Sequence, residues 1–308
     1  MTTPRAAVDV GSNSVRLLIV DPAGARVRRE MAITRLAAGV DATGHLDDAA
    51  LDRTLRTIAR FRDLWATHGV DDRVRIAATS AVRDASDRHR FFDGVLAATG
   101  VPAEVISGEQ EAVLAYAGAT GGVEVPRPTA VIDIGGGSTE VIVGDPSGEV
   151  VGSVSLQLGC VRVTERHLAS DPASAAELAA ARDLIETQLD GAVEVLGRSG
   201  VAMSDAASLV GVAGTATTLG ALHLGLDRYD EDRIHGARIP VAALGALADR
   251  LTAMTTAERA ELGPIQPGRE DVIHGGAMVL HAALERTGLD EVVISEADSL
   301  DGLAASLA

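Results

Sequence analysis

The sequence predicts an α/β protein of two similar domains, each a mixed β-sheet with helices on its faces. Three observations carry that prediction. The segment AVDVGSNSVRLLIV at 7–20 returns as VIDIGGGSTEVIV at 131–143 with a constant offset of 124. After each copy, short apolar strand-like runs give way to alternating amphipathic and apolar segments, an order that sets helices on the faces of a sheet. The Gly/Pro-rich stretch GATGGVEVPRPT at 118–129 ends where the second copy begins and reads as a linker. At about 150 residues per domain, the 308-residue chain divides into domains 1–125 and 126–308.

Each copy is an apolar strand ending in Asp, a glycine-bearing tight turn with a hydroxyl residue, and a second apolar strand, the pattern of a β-hairpin. The offset places Asp9 on Asp133, Gly11 on Gly135, Ser14 on Ser138 and Arg16 on Glu140. A third strand is expected over 26–36. An amphipathic helix over 47–68 follows, with Leu51, Leu55, Ile58, Phe61, Leu64 and Trp65 near helical spacing. Strand 73–80, helix 88–99, strand 103–107 and a helix opening at Glu109 complete the first half. The second half repeats the plan with strands 129–134, 139–144 and 149–157, then helix 174–196, strand 208–213 and a helix after Gly214. Helices from Val241 and over 269–287, strand 291–295 and a terminal helix end the chain.

All 27 basic residues are arginines, against 44 acids, for a net charge of −17. Without lysine there is no G-x-x-x-x-G-K-[ST] phosphate loop and no Schiff-base chemistry. The charge is uneven, with 15 arginines against 17 acids in 1–125 and 12 against 27 in 126–308. Duplex nucleic acid is therefore not an expected partner, since its binding rests on many exposed cations. No apolar run reaches the roughly 18 to 20 residues of a membrane span. The start, MTTPRAAVDVG, lacks the charged and apolar regions of a signal peptide, so a cytoplasmic location and no membrane partner are expected. Cys160, the single cysteine, lies in the apolar setting LQLGCVRV and reads as a small buried side chain. A homodimer is left open.

Gly135-Gly136-Gly137-Ser138 lets backbone N–H groups converge on an anion, because glycine permits the close approach and the unusual dihedrals of such a nest. Gly11-Ser12-Asn13-Ser14 is placed to do the same from the other domain. Asp133 and Glu140 flank the second turn with oxygen donors of the kind Mg²⁺ takes. Arg83, just past an apolar strand, is positioned to aim a cation into a cleft or to pair with Asp84 or Asp87. Glu109 and Glu111 open a helix, where the dipole favours acids; either could act on water as a general base. Hydrolysis of a phosphoanhydride asks for little more than a positioned water, a base and neutralisation of phosphoryl charge. The eight histidines form no ligand cluster.

With VDVGSNSVRLLIVD, ATSAVRDA, ISGEQEA, VIDIGGGSTEVIVG, LGCVRVTE and GVAGTATTL in this order, the chain resembles the exopolyphosphatase and guanosine-pentaphosphate phosphatase (Ppx/GppA) family. The resemblance implies duplicated actin-like ATPase domains of the ribonuclease H-like, ASKHA type, with the active site in the interdomain cleft. It implies that Glu111 activates the attacking water. Asp133, Gly135, Ser138 and Glu140 would then hold phosphate and Mg²⁺ (or Mn²⁺), with Gly11, Ser12, Asn13 and Ser14 facing them and Arg83 clamping the chain. The implied reaction is release of orthophosphate from inorganic polyphosphate, with short chains expected from the acidity of the second half. Guanosine pentaphosphate (pppGpp) is the alternative substrate, and an ASKHA-type phosphotransferase a more distant one. Two departures are visible: the helical region that longer members append is not in this sequence, and ISEADSLDGLA sets Leu300 beside Asp301 where a basic residue is commoner.

Overall fold

The computed structural model describes residues 3–308, and the chain divides into two compact units. The first holds the residues up to Gly118 together with Ser299–Ala308, and the second Ala119–Asp298. In the first unit, β1 (Arg5–Val10), β2 (Ser14–Val20), β3 (Arg26–Ile33), β4 (Val74–Ala78) and β5 (Ala103–Val105) form one sheet in the order β3-β2-β1-β4-β5. In the second, β6 (Thr129–Ile134), β7 (Thr139–Gly144), β8 (Val150–Leu156), β9 (Ser208–Val212), β10 (Arg238–Pro240) and β11 (Glu291–Ile294) form a sheet ordered β10-β11-β9-β6-β7-β8. The two orders match strand for strand once β10 is set aside. Each sheet has two antiparallel steps on one side and parallel steps on the other. β10 carries no sequence signal: it is three residues long, ends in proline, and exists through antiparallel pairing with β11 at the sheet edge.

Local chemistry sets the helices. Helix Asp48–Thr67 starts where the Asp47 side chain accepts the Ala50 N–H at 2.9 Å, and it buries Leu51, Ile58, Phe61 and Trp65 against the first sheet. Helix Ala175–Arg198 opens with a capping box between Ser174 and Glu177. Helix Ile273–Thr287 is buried along nearly its whole length, among residues of the second sheet and its helices. Among the described residues no helix is long and apolar enough to cross a membrane.

The units differ from a division at 125/126 in two ways. Helix Gly108–Gly121 runs through the start of the Gly/Pro-rich stretch, so the first unit ends inside a helix. The terminal helix Ser299–Ala305 belongs to the first unit. Its Leu300, Leu303 and Ala304 are buried with Ala7, Leu18, Val20, Ile106 and Leu114. Asp301 accepts hydrogen bonds from Arg26 (2.8 Å) and Arg29 (3.1 Å) of β3. At Gly302 the two helices pack so closely that a Cβ would overlap the Leu114 carbonyl. Sequence adjacency to the second half is outweighed by burial of this apolar face, which the terminal helix shares with Leu114 of helix Gly108–Gly121.

Candidate active site

In the first unit, register sets Val10 beside Ala78 and Ala78 beside Val105, so the carboxyl ends of β1, β4 and β5 lie side by side. Open α/β sheets bind ligands at such ends. Every expected residue of this unit follows one of them. The Gly11–Ser14 turn follows β1, Arg83 lies in helix Ser80–Asp84 after β4, and Glu111 lies in helix Gly108–Gly121 after β5. The second unit repeats the arrangement, with the Gly135–Ser138 turn after β6, helix Ala213–His223 after β9 and residues 295–298 after β11.

The two turns share one construction. The Gly11 N–H donates to Ser14 O at 3.0 Å, and the Gly135 N–H to Ser138 O at 3.0 Å. In the first turn, Ser12 O accepts from Ala37 N–H, and Asn13 O accepts from both Thr34 and Arg35 N–H, each at 2.9 Å. In the second, Gly135 O accepts from Cys160 N–H at 3.0 Å, and Gly136 O from Val161 N–H (3.0 Å) and Arg162 N–H (3.1 Å). Gly137 O accepts from the Arg162 Nε–H at 2.7 Å. These carbonyls are thus satisfied from behind. The N–H groups of Ser12, Asn13 and Ser14, and of Gly136, Gly137 and Ser138, have no acceptor among the described residues, which is the arrangement of an anion nest.

Closeness rather than an unusual dihedral restricts Gly11, Gly135 and Gly136, whereas a Cβ at Gly137 would make only an ordinary contact, 3.7 Å from Arg162 Nη2. None of Gly11, Gly135, Gly136 and Gly137 has a positive φ. A Cβ at Gly11 would meet Ser14 O at 3.3 Å, one at Gly135 would meet Ser138 O at 3.3 Å, and one at Gly136 would meet Val161 Cγ2 at 3.2 Å.

Below the turns the duplicates diverge. Register pairs Asp9 with Arg16 and Asp133 with Glu140. Arg16 donates to the buried Asp9 carboxylate through Nε (3.1 Å) and Nη2, and to Ser299 Oγ at 2.9 Å. The first turn therefore rests on an ion pair. The second rests on two carboxylates, with Glu140 Oε1 accepting the Ser155 hydroxyl at 2.8 Å. Only the second offers hard oxygen donors opposed across one register.

Ser12 Oγ and Ser80 Oγ lie 2.8 Å apart, which brings the short helix bearing Arg83 to the first turn. Arg83 Nη1 donates to Ile106 O at 3.2 Å, and its Nε lies 3.7 Å from Asp84 Oδ1. Arg83 thus ties the end of β5 to the end of β4, and of its two candidate partners it meets Asp84. Glu111 is half-buried in the first turn of its helix. That turn is fixed by reciprocal bonds, Ser107 N–H to Gln110 Oε1 (2.9 Å) and Gln110 N–H to Ser107 Oγ (3.1 Å). Glu109, beside it, is exposed.

Two further groups line the second unit's strand ends. Cys160 is half-buried, and burial pushes its thiol pKa up, opposed by a hydrogen bond to Thr215 and by the charge of Arg269. A raised pKa makes it a poor nucleophile, consistent with a packing role. Tyr229 Oη lies 2.7 Å from Thr217 Oγ1 and donates to Glu296 Oε1 at 2.6 Å, linking helix Ala213–His223 to the loop after β11. Burial raises the Tyr229 pKa, with Glu296 adding to the shift. Sequence reasoning passed over Glu296 and Arg162. The only available signal was that each sits in a quoted motif, Glu296 as the first acid of ISEADSLDGLA and Arg162 two residues after the cysteine of LGCVRVTE.

Comparison with known proteins agrees with this geometry. The family model described as the Ppx/GppA phosphatase family matches residues 19–308. The chain is 43% identical over 320 residues to a Mycobacterium tuberculosis protein named exopolyphosphatase 2, covering 98% of each chain. Among solved structures it resembles the type II variant of the Aquifex aeolicus Ppx/GppA phosphatase, with a TM-score of 0.87, 27% identity and 99% of both chains covered. A crystal structure described as an exopolyphosphatase-like protein gives a TM-score of 0.79 at 36% identity, covering 98% of both chains. A duplicated sheet, a pair of like-built glycine turns and a match over nearly the whole length place this chain in the Ppx/GppA phosphatase family.

Proposed function

We propose that this protein is an exopolyphosphatase that hydrolyses the terminal phosphoanhydride bond of inorganic polyphosphate and releases orthophosphate. The observation that carries the reading is the pair of turns whose carbonyls are satisfied from behind and whose N–H groups are left for an anion. Phosphoryl oxygens accept from the amides of Gly136, Gly137 and Ser138, and those of Ser12, Asn13 and Ser14 are the first unit's counterpart. Glu111 takes a proton from water as the water oxygen bonds to the terminal phosphorus. The bridging P–O bond breaks, and its electron pair leaves on the shortened chain. Arg83, held between the ends of β4 and β5, supplies a bidentate-capable cation for chain phosphates.

Asp133 and Glu140 fit a hard divalent ion, Mg²⁺ or Mn²⁺, in their donor chemistry and in their pairing across one register. Among the described residues no group of three or more His, Cys, Asp or Glu could hold an ion by itself. An ion there would complete its shell with water and phosphate oxygens, as Mg²⁺ does in phosphoryl-transfer sites, and would neutralise phosphoryl charge. The acidic second half opposes a long polyanion leaving the site, with repulsion screened only over about 8 Å at physiological salt, so short chains are preferred.

The test is Mg²⁺- and Mn²⁺-dependent orthophosphate release from tripolyphosphate, long polyphosphate and guanosine pentaphosphate, for the wild type and Glu111→Gln. The expected result is release from tripolyphosphate at a higher kcat/KM than from long polymer, collapsing by about 10³-fold in the variant, within the range of a lost general base. Faster release from guanosine pentaphosphate would reassign the substrate. Equal activity in Glu111→Gln would remove the base from the scheme.

A further inference from the structure

We infer that His235 is a positioning residue for the general base: in the tautomer protonated on Nε2, its imidazole clamps the Gly122 carbonyl, where the helix that carries Glu111 ends, to the loop after β11. The inference rests on the role of Glu111 proposed above and adds the group that holds its helix.

Helix Gly108–Gly121 bears Glu111 in its first turn and closes on Gly118, Gly121 and Gly122. Glycine is a poor helix former, and an added Cβ at Gly121 would meet nothing within 4 Å. Beyond the buried Ala119, this end is therefore held by what bonds to it from outside. The Gly122 carbonyl accepts from His235 Nε2 at 2.8 Å, and two residues on the Glu124 carbonyl accepts from Arg238 Nη2 at 3.1 Å.

The other ring nitrogen fixes the tautomer. The Glu296 N–H donates to Nδ1 at 3.2 Å. A backbone N–H can only donate, so Nδ1 is the unprotonated nitrogen and the ring proton sits on Nε2. Nε2 can then only donate, and Gly122 O is its acceptor. Both nitrogens are committed to different segments of the chain.

The ring itself is held in place. The Gly236 N–H donates to Ile294 O and the Ile294 N–H to Ala237 O, each at 2.8 Å, which ties the residues after His235 to the end of β11. Glu296 is fixed in turn by Tyr229, whose Oη donates to Oε1 at 2.6 Å. His235, Gly122 and Glu296 all belong to the second unit. A Cβ on Gly122 would lie 2.8 Å from His235 Nε2 and 3.1 Å from Cε1, so the ring meets the backbone where only glycine leaves room. From Gly122 back to Glu111 is about 16 Å along the helix. A swing of about 4° at the held end moves the carboxylate by about 1 Å, a displacement that costs about 10²-fold in rate.

The experiment compares the wild type with His235→Phe, His235→Gln and Gly122→Ala, with thermal melts to establish folding. Phenylalanine keeps a ring and removes both bonds. Glutamine keeps a neutral N–H donor of similar reach. Gly122→Ala displaces the ring from the other side. kcat and KM are measured for tripolyphosphate with Mg²⁺, and the NMR shifts of the two His235 ring nitrogens are read in the wild type without turnover.

The expected result is an unprotonated Nδ1, with kcat lower by about 10- to 100-fold in His235→Phe and Gly122→Ala. KM is expected to stay within about threefold of wild type, and His235→Gln to recover most of the loss. A proton on Nδ1 would overturn the inference. So would a folded His235→Phe with wild-type kcat, a loss that falls on KM alone, or a glutamine variant no better than the phenylalanine one. Should His235→Phe fail to fold, Gly122→Ala decides by the same split. Absence of orthophosphate release by the wild type would sink the phosphatase reading itself, whereas the ring tautomer tests the clamp independently of turnover.

Discussion

Gly159→Ala tests how tightly the second turn is held. Gly159 caps helix Cys160–His167 with φ −145° and ψ 165°, an extended conformation that alanine adopts without strain. Space is the obstacle. An added Cβ would lie 2.5 Å from Gly136 C and 2.6 Å from Gly137 N, with Gly136 O closer still, whereas ordinary contact begins near 3.4 Å. All the close atoms are backbone, so no side chain can rotate away, and turn and helix must part by about 1 Å. Overpacking of this kind costs about 1–3 kcal/mol of stability. Displacing a phosphate-positioning group by about 1 Å costs about 10²-fold in rate. The assay is orthophosphate release from tripolyphosphate at saturating Mg²⁺, run beside a thermal melt. The expected variant is folded, melts a few degrees lower and has lost about two orders of magnitude in kcat/KM. A folded variant within about threefold of wild type would show that the turn does not position the reacting group.

Two further outcomes follow from the helices of the second unit. Gly191 lies inside helix Ala175–Arg198, and an added Cβ there would have no other atom within 4 Å, so Gly191→Ala is expected to stabilise by about 0.4–1 kcal/mol in urea unfolding with activity unchanged; a loss of stability would contradict the open space. Glu177 accepts from the backbone and hydroxyl of Ser174, which hold its pKa down to about 2 from an ordinary 4.5. Because the folded value is depressed, its contribution is complete above pH about 4.5 and is lost as the pH falls toward 2. Glu177→Ala should therefore lower the melting temperature at neutral pH and converge on wild type near pH 2. A gap that stays constant between those limits would assign the loss to packing rather than to the charged cap.

Much of the site was legible because hairpins are local. The offset of 124 that aligns the two glycine turns reappears as matching register, Asp9 against Arg16 and Asp133 against Glu140. Glu111 was legible from the acids that open its helix, and the role proposed for it comes from the family resemblance. The contrast between Arg16 and Glu140 was also visible, but its meaning was not: the ion pair to Asp9 and the bond to Ser299 require the terminal helix to return to the first sheet.

Short-range chemistry along the chain dictated the duplicated α/β plan, the positions of the two turns and the residues around them, because alternation and turn preferences act over a few neighbouring residues. Packing across the fold settled which unit owns the terminal helix, how closely the turns are packed, and what Arg162 grips. Those depend on surfaces that meet across long separations in the chain: Leu300 and Leu303 on Leu18 and Leu114, and Gly159 and Arg162 on the backbone of Gly136 and Gly137. Close packing of this kind leaves no periodic trace in the sequence, since a buried contact is specified jointly by both partners and by the sheet that brings them together.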